Sequence, residues 1–184
     1  MPDGTFPADL AIRRDDTAAM VTLKADLADP AVAAAVTQVT GAAMPGPLAV
    51  TRAGETAVVW MAPDELMILG PEGSAGATVA ALEAALPSAL ALDMSDARTL
   101  FAIEGPAARD TLAKGVPVDL RPAVFTPGTA RRTHMGQVAI GVWLDPEGGE
   151  RFGLVCFRSL AAYVAEWLAE AGQPAGRVGH HRAG

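Results

Sequence analysis

Cysteine occurs once and histidine three times in these 184 residues, and asparagine does not occur at all. The single thiol, Cys156, has no partner for an internal disulfide, and three imidazoles with one thiol leave no Cys/His zinc spacing to write. Apolar runs are short: none approaches the ~20 residues needed to span a bilayer. The N-terminal stretch has neither a basic start nor an apolar segment, so no secretory signal is read there. Positive charge is also scarce. Fourteen Lys+Arg stand against 21 Asp+Glu, and a net charge of −7 repels phosphate and argues against nucleic acid as a partner. With 51% hydrophobic and 19% charged residues the composition is that of a folded globular chain, not a disordered one. The expectation is a cytoplasmic protein with no membrane partner and one domain over residues 16–172. A loose leader (1–15) and a flexible tail (173–184) flank it.

Hydrophobic period and turn residues then divide the chain. Ala19–Leu23 reads as a strand. Asp29-Pro30 supplies a capping side chain followed by a proline where its missing N–H costs nothing. Val32, Val36 and Val39 form one helical stripe that Gly41 ends. After the break at Met44-Pro-Gly-Pro47, Thr56–Met61 and Leu66–Leu69 flank Ala62-Pro-Asp-Glu65, which reads as a hairpin turn. Val79, Leu82 and Leu86 mark a second helix ending near Pro87. Ala89–Leu92 and Thr99–Ile103 are strands, and Gly105-Pro106 opens a third helix that closes at Gly115. Val116–Pro127, with three prolines, is a turn-rich connection. Val138, Ile140 and Val142 alternate as in a half-buried strand, and Asp145-Pro-Glu-Gly-Gly149 returns the chain through Phe152–Phe157. A final helix follows through Leu160, Tyr163, Val164, Trp167 and Leu168. Strand, helix, hairpin, helix thus occurs early and again late, which predicts an α+β domain of two similar βαββα-type halves. No glycine-rich dinucleotide fingerprint follows a strand.

The residue types that carry chemistry read as structural. Cys156 lies in an apolar strand, where a buried thiol is a small filler and not a nucleophile. His134 is isolated, and His180 and His181 stand in the tail. Ser95 lacks the Gly-x-Ser-x-Gly elbow, and in Asp93-Met-Ser-Asp96 it reads as part of a hydrogen-bonded turn. Asp64 and Glu65 sit in the hairpin turn, and Arg98 is expected to balance Asp96 as a weak surface pair. Trp60, Trp143 and Trp167 lie on apolar faces suited to the core or to a partner interface. No catalytic residue and no metal ligand is assigned.

Several blocks together resemble the gamma subunit of heterotetrameric sarcosine oxidase. They are Trp60-Met-Ala-Pro-Asp-Glu-Leu-Met-Ile-Leu69, Asp93-Met-Ser-Asp-Ala-Arg98, Glu104-Gly-Pro-Ala-Ala-Arg-Asp-Thr-Leu-Ala-Lys-Gly115 and Val118-Asp-Leu120. Phe125-Thr-Pro-Gly128 and the Tyr163–Leu168 helix continue the match, which covers roughly residues 55 to 170. That subunit is similar to the folate-binding domain of aminomethyltransferases, echoed here in Asp93-x-Ser95, Gly105-Pro-x-Ala108 and Leu112. The resemblance implies two intertwined halves and an accessory role with no catalytic residue on this chain. In the implied complex, sarcosine is oxidatively demethylated to glycine, with hydrogen peroxide formed and the one-carbon unit passed to tetrahydrofolate. FAD, FMN, NAD and folate chemistry would belong to the alpha and beta subunits and a zinc to delta. The aminomethyltransferase Asn-Asp signature has no counterpart, because the chain has no asparagine. The alternative is a stand-alone folate-binding or one-carbon transfer module, with Glu104 or Asp93 near Phe101 receiving the pterin N–H donors.

Overall fold

The computed structural model describes residues 9–174. The first half runs β1 (Ala11–Asp15), β2 (Ala19–Lys24), α1 (Pro30–Thr40), β3 (Val50–Ala53), β4 (Thr56–Ala62), β5 (Glu65–Gly70) and α2 (Ala75–Ala85). The second repeats it as β6 (Leu90–Asp93), β7 (Arg98–Glu104), α3 (Ala108–Ala113), β8 (Ala130–Met135), β9 (Val138–Leu144), β10 (Arg151–Phe157) and α4 (Ala161–Ala171). The expected βαββα core is present in each half as β2-α1-β4-β5-α2 and β7-α3-β9-β10-α4. Each half adds a leading strand and one further strand before its hairpin, β3 in the first and β8 in the second.

The leading strands are exchanged. One sheet has the order β1-β7-β10-β9-β8 and the other β3-β4-β5-β2-β6, so β1 pairs with the second half and β6 with the first. All pairings are antiparallel. The halves are intertwined because each completes the other's sheet. On one side the sheets are sewn together: Val50 N–H donates to Gly128 O (2.9 Å) and Ala130 N–H to Leu48 O (2.8 Å), joining β3 to β8. On the other side β1 and β6 end their sheets.

The layers are helix, sheet, sheet, helix. Val36, Leu66 and Leu82 pack α1 and α2 on the β2-containing sheet. Phe101, Leu112, Phe152 and Leu168 pack α3 and α4 on the other. Met20, Val59, Met67 and Trp143 fill the space between the sheets. Unbranched methionines suit this layer because they adapt to the gap between two twisted surfaces.

Local signals act as the sequence predicts at α1. The Asp29 carboxylate accepts the Ala31 N–H (2.8 Å), Pro30 opens the helix, and Gly41 closes it at φ 73°, where a side chain is disfavoured. The leader is different. Ala11–Asp15 is not loose; it pairs residue for residue with Glu104–Leu100, and Ile12 packs on the core. Five residues with three charges give no strand signal, and the pairing partner lies some ninety positions away. Residues 1–8 and most of the expected tail, including His180 and His181, lie outside the described residues. No helix among the described residues is long and apolar enough to cross a membrane.

Candidate functional site

Between the sheets, at the Glu104 end of β7, a cleft of about 410 Å3 opens. That volume falls in the range of small-ligand pockets, roughly 300–1,000 Å3. Its floor is made by Leu100, Ala102, Gly153 and Trp143. Gly153 has to be glycine: a Cβ there would stand 2.2 Å from the Trp143 indole, which lies flat across the strand.

The rim is a chain of ion pairs. Asp145, in the β9–β10 turn, is buried; one of its oxygens accepts the Glu147 N–H (2.9 Å). The other faces Arg52 from β3 (3.2 Å) and Arg151 from β10 (3.9 Å). Arg151 continues to Glu104 (3.8 Å), and Glu104 to Arg13 on β1 (4.0 Å). The lining contains guanidiniums and carboxylates but no thiol, hydroxyl, imidazole or amine. Such a surface holds groups by charge and hydrogen bonding. Among the described residues, no group of His, Cys, Asp or Glu is arranged to hold a metal ion.

Of the residues singled out from the sequence, Trp143, Phe101 and Glu104 line this cleft and the others stand elsewhere. Cys156 is buried on the helix side of β10, and burial pushes its thiol up to about 11, which keeps it protonated and inert. His134 lies exposed on β8. Asp93 accepts both the backbone N–H (2.9 Å) and the hydroxyl (2.6 Å) of Ser95, while Ser95 Oγ accepts the Met20 N–H (3.0 Å). Those bonds hold the Asp93 carboxyl below the usual carboxylate range and make Ser95 a clamp between β2 and the β6–β7 link. Glu104 and the buried Phe101 both line the cleft, while Asp93 precedes the far end of β7 and is not among the lining residues. The Glu104 carboxylate is already engaged by Arg13 and Arg151.

Arg98 corrects the expectation. It pairs with Glu65 (3.8 Å) across the two sheets and not with Asp96, whose backbone carbonyl instead accepts Arg158 Nε–H (2.8 Å). Glu65 is buried at the start of β5 and also meets Lys24 (3.6 Å) and Arg132 (3.6 Å). Burial pushes Arg98 below the usual guanidinium range, against the opposing pull of Glu65. Asp64 stays exposed and pairs with Lys24 (3.3 Å). Trp143 is buried between the sheets, and Trp60 and Trp167 pack against the helix-side cores.

Two arginines carry roles that no sequence pattern announced. Arg109, in α3, is buried; it takes both oxygens of Glu150 (2.9 and 2.8 Å) and donates to the carbonyls of Leu120 and Phe125 (3.2 Å to the latter). It thereby fixes the proline-rich connection. Arg158 donates to the carbonyls of Asp16 (2.9 Å), Ser95 (2.8 Å) and Asp96, binding the β1–β2 link to the β6–β7 link.

With this geometry in view, comparison with known proteins is specific. The sarcosine oxidase, gamma subunit family model matches residues 24–174. The gamma subunit of sarcosine oxidase from Corynebacterium sp. (strain P-1) is 30% identical over 146 residues, 75% of this chain and 68% of its own length. That from Arthrobacter sp. is 34% identical over 119 residues, 63% of this chain and 56% of its own. Among solved structures, a chain of heterotetrameric sarcosine oxidase from Corynebacterium sp. U-96, in complex with pyrrole 2-carboxylate, matches at a TM-score of 0.80. It is 26% identical, with 92% of this chain and 86% of that one covered. Aminomethyltransferase T of the glycine cleavage system from Bartonella henselae matches at a TM-score of 0.64 and 16% identity, over 88% of this chain and 45% of that one. The intertwined α+β sandwich is therefore of the aminomethyltransferase-like fold class. Within that class, the chain belongs to the sarcosine oxidase gamma subunit family.

Proposed function

We propose that the chain is a non-catalytic subunit of a heterotetrameric sarcosine oxidase, assembled with alpha, beta and delta subunits in the cytoplasm. The complex oxidatively demethylates sarcosine to glycine, forms hydrogen peroxide and passes the one-carbon unit to tetrahydrofolate. FAD, FMN, NAD and the folate are held by the other subunits, and this chain contributes surface and shape. The observation that carries the reading is the family match over residues 24–174, together with a cleft whose rim is a chain of ion pairs from Arg52 through Asp145 and Arg151 to Glu104.

Co-expression with the neighbouring large subunits tests it. The tagged chain should bring them down as a stoichiometric complex that makes peroxide from sarcosine, while the chain alone makes none. Turnover of sarcosine by the solitary chain would sink the proposal. Calorimetric titration of the chain with tetrahydrofolate should give no micromolar binding, since Asp93 stands away from the cleft and Glu104 is already paired with Arg13 and Arg151.

A further inference from the structure

At the end of the sandwich opposite the cleft, the two sheets stand open. Leu90 and Leu92 on β6 lie directly across from Lys24 and Thr22 on β2, so all four share the face that looks toward the other sheet. Ala91 between them points to the helices and is buried. Yet Leu90 is 49% and Leu92 45% exposed. On that opposite sheet Arg98 pairs with Phe157, which is 48% exposed with the Arg98 guanidinium 5.6 Å over its ring. Glu65, in register with Lys24 and bonded to Arg98, shows that the two rows face each other.

Two polar atoms in this groove are buried without a partner: the hydroxyl of Thr22, a residue only 7% exposed, and Arg98 Nε. Buried donors and acceptors are normally satisfied by a partner or by water. The backbone edge is open too. β6 ends its sheet with the sequence Leu-Ala-Leu-Asp, whereas β1, which ends the other sheet on the same side, carries Arg13, Arg14 and Asp15. Charges of that kind protect an edge from unwanted pairing, and β6 has them only at its last residue.

Building on the reading of the chain as a subunit, we propose that the groove and the free edge of β6 receive an extended segment of another subunit of the oxidase. The segment pairs with β6, sets apolar side chains two residues apart against Leu90 and Leu92, and brings a carboxylate to Arg98 and Lys24. Charge selects this occupant. Lys24, Arg98 and Arg132 stand against the buried carboxylate of Glu65 and the exposed one of Asp64, an excess of one cation on a chain of net charge −7. A second copy would bring the same three cations against them, while an acidic segment complements them.

The test uses the full chain co-expressed with its partner subunits. Leu90→Glu with Leu92→Glu should lower recovery of the partners about tenfold or more, and Val124→Glu, at an exposed site on the far connection, should leave it unchanged. Hydrogen exchange on the unmodified protein gives a readout free of folding effects: amides of residues 90–93 should slow on assembly. A double variant that assembles like the parent, or β6 amides that exchange equally in the free and assembled chain, overturns the inference and leaves the subunit reading standing. Loss of a self-dimer in place of the hetero-complex overturns it as well. Failure of the unmodified chain to recover any partner is a different result, and removes the subunit reading itself.

Discussion

Arg109 shows how much one side chain can hold. Its guanidinium serves a carboxylate and two carbonyls from the proline-rich connection and lies 5.1 Å over the Phe152 ring. Arg109→Met keeps the apolar stem but strands the carbonyls of Leu120 and Phe125, so chemical denaturation should show a loss of about 2–4 kcal/mol. Cys156 presents the opposite case. With its thiol pushed up to about 11 by burial, it should resist a thiol reagent at pH 8 in the native chain and react at once in denaturant. The sequence already made Cys156 a filler, because an apolar strand context is local information. Arg109 was invisible, since Glu150 and the carbonyls it meets are 11 to 41 positions distant.

At the level of elements, the two links that carry the exchanged strands are built alike. Asp16 follows β1 and Asp93 ends β6, and both carboxyls lie below their ordinary value of 3.8. Burial alone would raise Asp16, but hydrogen bonds from Thr99 (2.7 Å) and Arg14 and the charges of Arg14 and Arg158 outweigh it. At Asp93 the Ser95 hydroxyl and backbone N–H are the cause. A carboxyl lowered on folding favours the folded chain above the unfolded value and gives this up as pH falls through the folded one. Thermal melts should therefore be level above about pH 5 and decline below 3.8, and Asp93→Asn should make that decline shallower. Strong elements were legible from the sequence. The Asp29-Pro30 cap, the Gly41 stop and the Ala62–Glu65 turn each act within four residues, so their chemistry is written locally. Strands β1, β3 and β8 were not. Val50–Ala53 and Ala130–Met135 mix charge with apolar residues as edge strands do, and they are strands because β4 and β9 lie beside them.

For the whole molecule, the exchange of leading strands makes the halves interdependent. Residues 1–87 and 88–184 expressed together as two chains should co-purify as a folded pair. Either fragment alone should aggregate, since each would leave a sheet lacking its terminal strand and expose an apolar layer. Independent folding of one fragment, seen by circular dichroism and a cooperative melt, would contradict this. The sequence by itself determined the α+β class, the repeat of strand, helix, hairpin and helix, and the want of metal or nucleophile spacing in the chain as read. Those properties depend on residue type and short-range period. Only the tertiary structure decided that β1 and β6 change places, that Glu65 gathers Lys24, Arg98 and Arg132, and that Asp145 joins Arg52 to Arg151 at the cleft. These depend on which strands lie side by side, and that is fixed by burying three apolar layers at once, a condition no short window of residues contains.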